Sequence, residues 1–186
     1  EGHTGRIHEC TFSPDSRWLV SAGLDGRLLR WGVDTGFSEV LFAGQSSLNT
    51  CDIDDTRVVT SGDNGRIRLW QDSTAITLSG HDCMTTTVVL HPDGTRLISG
   101  SIDGSVRLWK PESDTFTQLY SHDGAVTAAR ITPDGQVLIS AGTEGKLIVW
   151  DLRQGHLIGT LIGHEGPITS CALHPDGKRL VSGSID

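Results

Sequence analysis

The sequence predicts an all-β protein built from one repeated unit of about 40 residues. Each repeat contains a six-residue strand candidate that begins at a glycine and closes with a tryptophan. The four tryptophans follow one another at intervals of 39, 39 and 41 residues: Trp31, Trp70, Trp109 and Trp150. No apolar period of 3.6 residues reaches helical length. A period of this size is typical of stacked supersecondary units, so the repeat predicts the fold class before any single motif is considered.

Two turn signals divide each repeat into strands. An acid-glycine pair such as Asp25-Gly26 precedes the tryptophan strand, and it favours a hairpin because glycine accepts a positive φ. Further upstream comes a Pro-Asp turn, as in His91-Pro92-Asp93-Gly94. A looser connection and a fourth strand follow the tryptophan. Each repeat is therefore predicted to be one sheet of four antiparallel strands.

Both faces of such a small sheet need to be covered. Runs such as Leu97-Ile98 and Leu147-Ile148-Val149 are apolar without strict alternation, which indicates strands buried on both faces. Radial stacking of like sheets buries them in this way, so each repeat is predicted to be a blade of a β-propeller. Residues 1–186 are predicted to form a single partial propeller domain, with repeats at about 1–43, 44–79, 80–120 and 121–162 and a truncated fifth at 163–186.

The repeats resemble those of the WD-repeat (tryptophan-aspartate repeat) β-propeller family. Gly-His pairs open three repeats, namely Gly2-His3, Gly80-His81 and Gly163-His164, and a tryptophan follows the first two pairs after about 28 residues. The resemblance covers essentially the whole chain, and it is specific because several elements recur together at fixed offsets. Only Trp150-Asp151 is a literal Trp-Asp pair.

The resemblance implies a structural hydrogen-bond set in each repeat, formed by a His, a Ser or Thr, a turn acid and the Trp indole. The sets are His3, Ser21, Asp25 and Trp31; His81, Ser99, Asp103 and Trp109; His122, Ser140, Glu144 and Trp150; and His164, Ser182 and Asp186 in the truncated repeat. The second repeat has Gln45, Thr60, Asn64 and Trp70 instead, and the shorter segment Asp52-Ile53-Asp54-Asp55-Thr56-Arg57 replaces its Pro-Asp turn. We expect this neutral set to be weaker and its sheet to be the most irregular.

A serine, a histidine and a carboxylate within hydrogen-bond reach are also the parts of a hydrolase triad. A catalytic triad occurs once and needs an exposed nucleophile with oxyanion donors beside it. Here the set recurs in every repeat with a tryptophan capping it, so we predict no catalytic residues and no enzyme. A propeller-fold enzyme, with a hydrolase as the first candidate, is the alternative.

The four cysteines and eight histidines show no Cys-x-x-Cys or Cys-x-x-His pair at zinc-ligand spacing. No metal and no cofactor is therefore predicted. Cys10, Cys51 and Cys171 fall at one position of the first strands, and we expect them to be small buried residues. Cys83, in a loop after His81, is the one expected to be exposed. Unpaired thiols favour a reducing compartment, which predicts a cytoplasmic location.

The net charge of −8 comes from 15 basic and 23 acidic residues, with no basic run. This pattern argues against a nucleic-acid partner, and no apolar stretch is long enough to span a membrane. The chain does not begin with Met, and it stops within its fifth repeat. We expect a fragment of a longer polypeptide whose missing blades cover the open sheets. Closure by self-association of copies is the alternative.

The resemblance implies a scaffold that binds a protein or peptide partner on the propeller's rim or narrow top face. The repeats also resemble the tandem repeats that are attached to signalling ATPases and kinases in microbial proteins. The residues just before each turn acid, or its amide equivalent, are predicted to lie on that face: Leu24, Asp63, Ile102, Thr143 and Ile185. Three of the five are aliphatic, so they would form an apolar ring that anchors a partner. Local packing beneath the turn explains them equally well.

Two residues depart from the repeat pattern. Arg30 stands where other repeats have Leu69, Leu108 and Val149, and we favour a strand-edge or surface role for it over anion binding. Trp18 stands where two other repeats have Arg96 and Arg179. It is interpreted either as an exposed rim anchor or as a cover for an open edge.

Overall fold

The computed structural model describes residues 2–44, 46–71 and 74–186, apart from the side chain of Tyr120. In this part of the chain, antiparallel strands form four sheets of four strands and one sheet of two. A 3₁₀ turn at Pro111–Ser113 interrupts the series of strands. The all-β class, the four four-stranded sheets and the truncated fifth repeat predicted from the sequence are confirmed.

The strands run in chain order through the five sheets. The first sheet contains β1 (Ile7–Phe12), β2 (Trp18–Gly23), β3 (Arg27–Gly32) and β4 (Ser38–Ala43). The second contains β5 (Leu48–Ile53), β6 (Arg57–Gly62), β7 (Ile67–Gln71) and β8 (Thr74–Leu78). The third contains β9 (Thr85–Leu90), β10 (Leu97–Ser101), β11 (Ser105–Lys110) and β12 (Thr115–Ser121). The fourth contains β13 (Val126–Ile131), β14 (Val137–Gly142), β15 (Lys146–Asp151) and β16 (His156–Ile162), and the fifth contains β17 (Ile168–Leu173) and β18 (Leu180–Ser184).

The turn between the second and third strands sets the register of each four-stranded sheet. Its glycine has a positive φ in all four: Gly26 at 70°, Gly65 at 68°, Gly104 at 82° and Gly145 at 79°. A Cβ on Gly26 would also lie only 2.6 Å from the carbonyl oxygen of Gly44, so glycine is required there. The resulting register places each tryptophan opposite an aliphatic residue of the second strand: Leu19 and Trp31, Val58 and Trp70, Leu97 and Trp109, and Leu138 and Trp150.

The chain divides into two compact units, residues 1–90 and 91–186. Each unit has an apolar core between successive sheets, formed where side chains from facing strands meet. In the first unit the core comprises Val20, Ala22, Leu28, Leu48, Cys51 and Val58. In the second unit it comprises Ala128, Ile139, Ala141, Leu147, Ile168 and Cys171.

The predicted burial or exposure is confirmed for three of the four cysteines. Cys51 and Cys171 are buried, and burial raises the pKa of both thiols. Cys10 is exposed, so the prediction of a shared buried position is wrong for it. The reason is that Cys51 packs against the first sheet, whereas no sheet in the described ranges precedes β1 to cover Cys10. Cys83 is exposed, as predicted.

Candidate functional site

The predicted polar set of the first repeat forms one hydrogen-bonded chain beside β2 and β3. Trp31 Nε1 donates to Ser21 Oγ at 2.8 Å, and Ser21 Oγ lies 2.8 Å from His3 Nε2. His3 Nδ1 lies 3.0 Å from Asp25 Oδ1. Because an ionised carboxylate only accepts, His3 Nδ1 carries the proton and Nε2 accepts from the serine hydroxyl. The direction of donation therefore runs from indole to hydroxyl to imidazole to carboxylate.

Asp25 also accepts hydrogen bonds from two backbone N–H groups, one in the loop after His3 and one in its own turn. Its Oδ2 accepts from the Thr4 N–H at 2.8 Å, and its Oδ1 accepts from the Arg27 N–H at 3.1 Å. Burial by itself would raise the pKa of Asp25. The hydrogen bonds from His3, Thr4 and Arg27 outweigh burial and lower the pKa from 3.8 to about 2.

The set of the second repeat is neutral, as its residues predict. Trp70 Nε1 donates to Thr60 Oγ1 at 3.2 Å, which is longer than the 2.8 Å between Trp31 and Ser21. Asn64 Oδ1 accepts from the Arg66 N–H at 3.1 Å. Gln45, predicted to stand in place of the histidine, lies outside the described residues.

In the third repeat the indole and hydroxyl are in contact, because Trp109 Nε1 donates to Ser99 Oγ at 2.7 Å. Asp103 Oδ1 accepts from the N–H and the hydroxyl of Ser105, at 2.8 and 2.6 Å. His81 is buried and belongs to the first unit, whereas the other three members of the set belong to the second.

The fourth repeat keeps the histidine contacts with a longer acid. His122 Nε2 lies 2.8 Å from Ser140 Oγ, and His122 Nδ1 donates to Glu144 Oε1. Glu144 Oε2 is buried and has no hydrogen-bond partner among the described residues. Trp150 is also buried. Replacing aspartate by glutamate therefore keeps the bond to histidine but leaves the second carboxylate oxygen without a donor.

The two-stranded fifth sheet repeats the pattern without a tryptophan strand. His164 Nε2 lies 2.9 Å from Ser182 Oγ, and His164 Nδ1 lies 3.1 Å from Asp186 Oδ1. Asp186 Oδ2 accepts from the N–H groups of Glu165 and Gly166 at 2.7 and 3.3 Å. This set is more exposed than that of the first repeat.

The Ser–His–acid geometry resembles a triad, but its surroundings differ from those of a nucleophile. Ser21, Ser99 and Ser140 are buried. In the first and third sets the serine oxygen also accepts a hydrogen bond from a tryptophan. A nucleophilic serine must face the substrate, with oxyanion donors at the same point. The arrangement therefore fits a structural role, in which its hydrogen bonds connect strands and loops.

The five candidate partner-binding residues occupy equivalent turns, and we use the name turn surface for these five positions in whichever of the two units they lie. Leu24, Ile102 and Ile185 are 48%, 44% and 72% exposed, which argues against local packing beneath the turn. Thr143 is half-buried, and the exposed Asp63 accepts from Asn49 Nδ2 at 2.9 Å. Leu24 and Asp63 belong to the first unit, and the other three belong to the second.

Arg30 and Trp18, the two residues that depart from the repeat pattern, are in contact with each other. The Arg30 guanidinium lies 4.6 Å from the ring centroid of Trp18, and Arg30 Nε donates to Glu39 Oε1 at 2.6 Å. Arg30 pairs directly with Glu39 in the β3–β4 register, which explains why an arginine is stable here. The opposite charges at those two strand positions were a sequence signal for this contact.

Two features of the described residues bear on other kinds of site. No helix there is long and apolar enough to cross a membrane. No group of three or more His, Cys, Asp or Glu side chains in the same ranges is arranged to hold a metal ion.

Comparison with known proteins identifies the repeats directly. The family model described as "WD domain, G-beta repeat" matches residues 1–31, 38–71, 73–110, 113–151 and 155–186. A 35-residue segment is 46% identical to WD repeat-containing protein 36 of Homo sapiens and covers 19% of this chain and 4% of that protein. A 35-residue segment is 49% identical to U3 small nucleolar RNA-associated protein 21 of Saccharomyces cerevisiae, with the same two coverages. The aligned segments thus span a small part of either relative, whereas the family model spans most of this chain. The chain belongs to the WD domain, G-beta repeat family.

Proposed function

We propose that this chain is a non-catalytic scaffold that binds a protein or peptide partner through its turn surface. Proteins with WD repeats generally mediate protein–protein interactions and are generally non-enzymatic. The observation that carries the proposal is the exposure of Leu24, Ile102 and Ile185 at one equivalent position of three repeats. A turn between strands ordinarily presents polar side chains to water, so aliphatic anchors there favour a binding surface.

Backbone hydrogen bonds hold three of the five turns that carry the turn surface. Leu24 N–H donates to the Arg6 carbonyl at 2.8 Å, Thr143 N–H to that of Ala125 at 2.9 Å, and Ile185 N–H to that of Pro167 at 3.3 Å. A partner that docks on a pre-organised turn loses little conformational entropy in ordering it. Burying a few aliphatic anchors then accounts for a large share of the binding free energy.

The burial of the repeated serines supports the non-catalytic part of the proposal. A hydrolase would need one serine open to substrate and polar groups unique to one repeat. Ser21, Ser99 and Ser140 are instead closed to solvent and occupy equivalent places. The acidic net charge of −8 disfavours a nucleic-acid partner, and a cytoplasmic location remains part of the proposal.

The test begins with a peptide selected from a random library on the immobilised protein, whose affinity is then measured by isothermal titration calorimetry. Ile102→Asp should weaken binding by about tenfold or more, because a charge on the anchor must be desolvated. Ile76→Asp is the matched control, since Ile76 is 49% exposed but lies on β8 outside the turn surface. Equal effects of the two substitutions would reject the turn surface as the binding site.

Sedimentation analysis of the same variants separates this proposal from self-association. The scaffold proposal predicts that Ile102→Asp leaves the oligomeric state of the free protein unchanged. An oligomer that dissociates in Ile102→Asp but not in Ile76→Asp would assign the turn surface to contacts between copies.

A further inference from the structure

A cavity of about 110 Å³ lies in the first unit, between the first and second sheets. It is found beside the turns that join the first strand of each sheet to the second, at the other end of β2 and β6 from the turn surface. Its walls are formed by two turns and by the side chains next to them: Asp15, Trp18, Arg30, Ile53 and residues 54–58.

Three departures from the repeat pattern converge on this cavity. Trp18 replaces the Arg96, Val137 and Arg179 of other repeats, and Arg30 replaces aliphatic residues. The turn between β5 and β6 has three residues, whereas the turns between β1 and β2 and between β13 and β14 have five. In a chain of near-equivalent repeats, irregularities at one place indicate a local function that the shared fold does not require.

The short turn explains why space is open here. In the second unit the equivalent position is filled, because His91 Nε2 lies 2.9 Å from the carbonyl oxygen of Gly135 in the next turn. In the first unit Ser13 stands in the place of His91 and hydrogen-bonds within its own turn, to Asp15 and Trp18. The shortened second turn carries no glycine to meet it. A contact between successive turns is thus replaced by a cavity.

Both arginines of the wall are already neutralised. Arg30 is paired with Glu39 and stacked on Trp18. Arg57 donates from Nε and Nη2 to Asp54 Oδ2, at 2.9 and 2.5 Å, and only 10% of its side chain is exposed. These contacts fix both guanidinium groups and leave no net positive charge from them in the cavity.

The remaining charge of the cavity is negative. Asp55 is exposed, and its carboxylate has no hydrogen-bond or ion-pair partner among the described residues. Asp15 Oδ1 accepts from Ser13 and the Arg17 N–H, while its Oδ2 is 3.7 Å from the Nε of an Arg17 side chain that is 79% exposed. An exposed pair of this kind is strongly screened by water. A cation is therefore the favoured occupant.

The size of the cavity and the apolar part of its wall indicate which kind of cation fits. Pockets that hold a small-molecule ligand usually measure roughly 300–1,000 Å³, so this cavity suits one side-chain head group. Ile53 and Val58 line it together with the ring of Trp18. Lysine and arginine pack a methylene stem against such a surface while their charged head stays near carboxylates and water.

We propose that this cavity is a second docking site, which takes a lysine or arginine side chain from a partner polypeptide. The head group lies between Asp15 and Asp55, and the stem packs on Trp18, Ile53 and Val58. The site uses no residue of the turn surface, so each of the two binding proposals can be rejected without affecting the other.

The test follows the Trp18 indole N–H by ¹H–¹⁵N NMR in the whole chain, with its resonance assigned from Trp18→Phe. The protein is titrated with the blocked tripeptides Ac-Gly-Lys-Gly-NH₂, Ac-Gly-Arg-Gly-NH₂ and Ac-Gly-Glu-Gly-NH₂. A saturable shift with the first two peptides and none with the third is expected. Asp55→Asn should weaken the binding about threefold, which is the size of effect typical of one exposed charge pair.

Asp82→Asn is the matched control, because Asp82 is an exposed carboxylate of the same unit that does not line the cavity. It should leave the titration unchanged, as should Ile102→Asp, which tests the turn surface. Equal weakening by Asp55→Asn and Asp82→Asn would overturn the proposal, because it would reduce the effect to net charge. A saturable shift with the glutamate peptide, or no saturable shift with either basic peptide, would overturn it as well.

Discussion

His122 Nδ1 donates to one carboxylate oxygen of Glu144, and the other oxygen of Glu144 is buried without a hydrogen-bond partner among the described residues. In the first repeat both oxygens of Asp25 are used, since Oδ2 accepts from a backbone N–H in the loop after His3. An unsatisfied buried acceptor loses its contacts with water and gains nothing in return. Glu144 is thus a local weak point in a set that is otherwise shared between repeats.

Glu144→Asp should therefore stabilise the protein. A shorter acid can adopt the geometry of Asp25, with its second oxygen on a backbone N–H of the loop after His122. We expect the free energy of unfolding to rise by about 1 kcal/mol, or roughly 2–4 °C in Tm, measured by urea and thermal denaturation. The reverse change, Asp25→Glu, is the control and should lower stability by a similar amount. A loss of stability in both variants would contradict this explanation.

Arg107→Leu should also stabilise the protein. Arg107 is 8% exposed, and its Nε and Nη1 have no hydrogen-bond partner among the described residues, although its guanidinium lies 4.6 Å from the Phe116 ring centroid. The equivalent residues Leu29 and Ile148 are buried aliphatic side chains, so the site accepts this shape. Replacing an incompletely compensated buried charge by an apolar residue should raise the free energy of unfolding by about 1–2 kcal/mol.

Chemical denaturation measures this change, and Arg68→Leu serves as its control. Arg68 occupies the same place in the second repeat, over the ring of Phe42 at 5.0 Å, but is only half-buried. Its substitution should have a smaller effect. A destabilised Arg107→Leu would show that the cation–π contact with Phe116 outweighs the cost of burying the charge.

Stability should fall steeply in acid. Hydrogen bonds lower the pKa of Asp25 to about 2, and those from Thr95 and Arg96 overcome burial and lower that of Asp93 to about 2. A carboxyl group whose folded pKa is depressed contributes stability that is complete above its unfolded value near 3.8. That stability is lost as the pH falls from about 4 to about 2.

Urea unfolding between pH 7 and pH 2 measures this dependence in the wild type and in Asp25→Asn. The substitution should remove roughly 2 kcal/mol at pH 7 and flatten the curve below pH 4. An Asp25→Asn variant that keeps the wild-type slope below pH 4 would show that Asp25 does not contribute to it.

Alkylation should divide the four cysteines into two classes. Cys10 and Cys83 are exposed and should react with iodoacetamide in the folded protein. Cys51 and Cys171 are buried, and burial raises the pKa of their thiols, so they should react only after unfolding. Mass spectrometry of tryptic peptides before and after denaturation measures the labelling of each cysteine. Rapid native labelling of Cys51 would indicate that the first and second sheets open easily.

Much of the fold could be predicted because its signals are local. The glycine at positive φ in each hairpin and the tryptophan that follows it are a few residues apart, and together they set the register of β2 with β3 and of its counterparts. The members of the polar sets also recur at constant offsets. His3 and Ser21 are separated by 18 residues, as are His122 and Ser140, and both pairs are in contact.

The exposure of Cys10 could not be predicted in the same way. Its place in the strand register is equivalent to that of Cys51 and Cys171, yet burial depends on the neighbouring sheet and not on the residue's own repeat. The partnerless oxygen of Glu144 is a similar case, because one additional methylene decides whether a backbone donor is met.

The sequence by itself determined the all-β class, the repeat, the turns and the residue types of each polar set, because strand pairing and turn chemistry act over short distances along the chain. Only the tertiary structure decided that Trp18 stacks with Arg30, and that both border a cavity left by a shortened turn further along the chain. Such a cavity depends on how side chains from separate sheets fill the space between them. That packing is a property of facing surfaces, which no single repeat encodes.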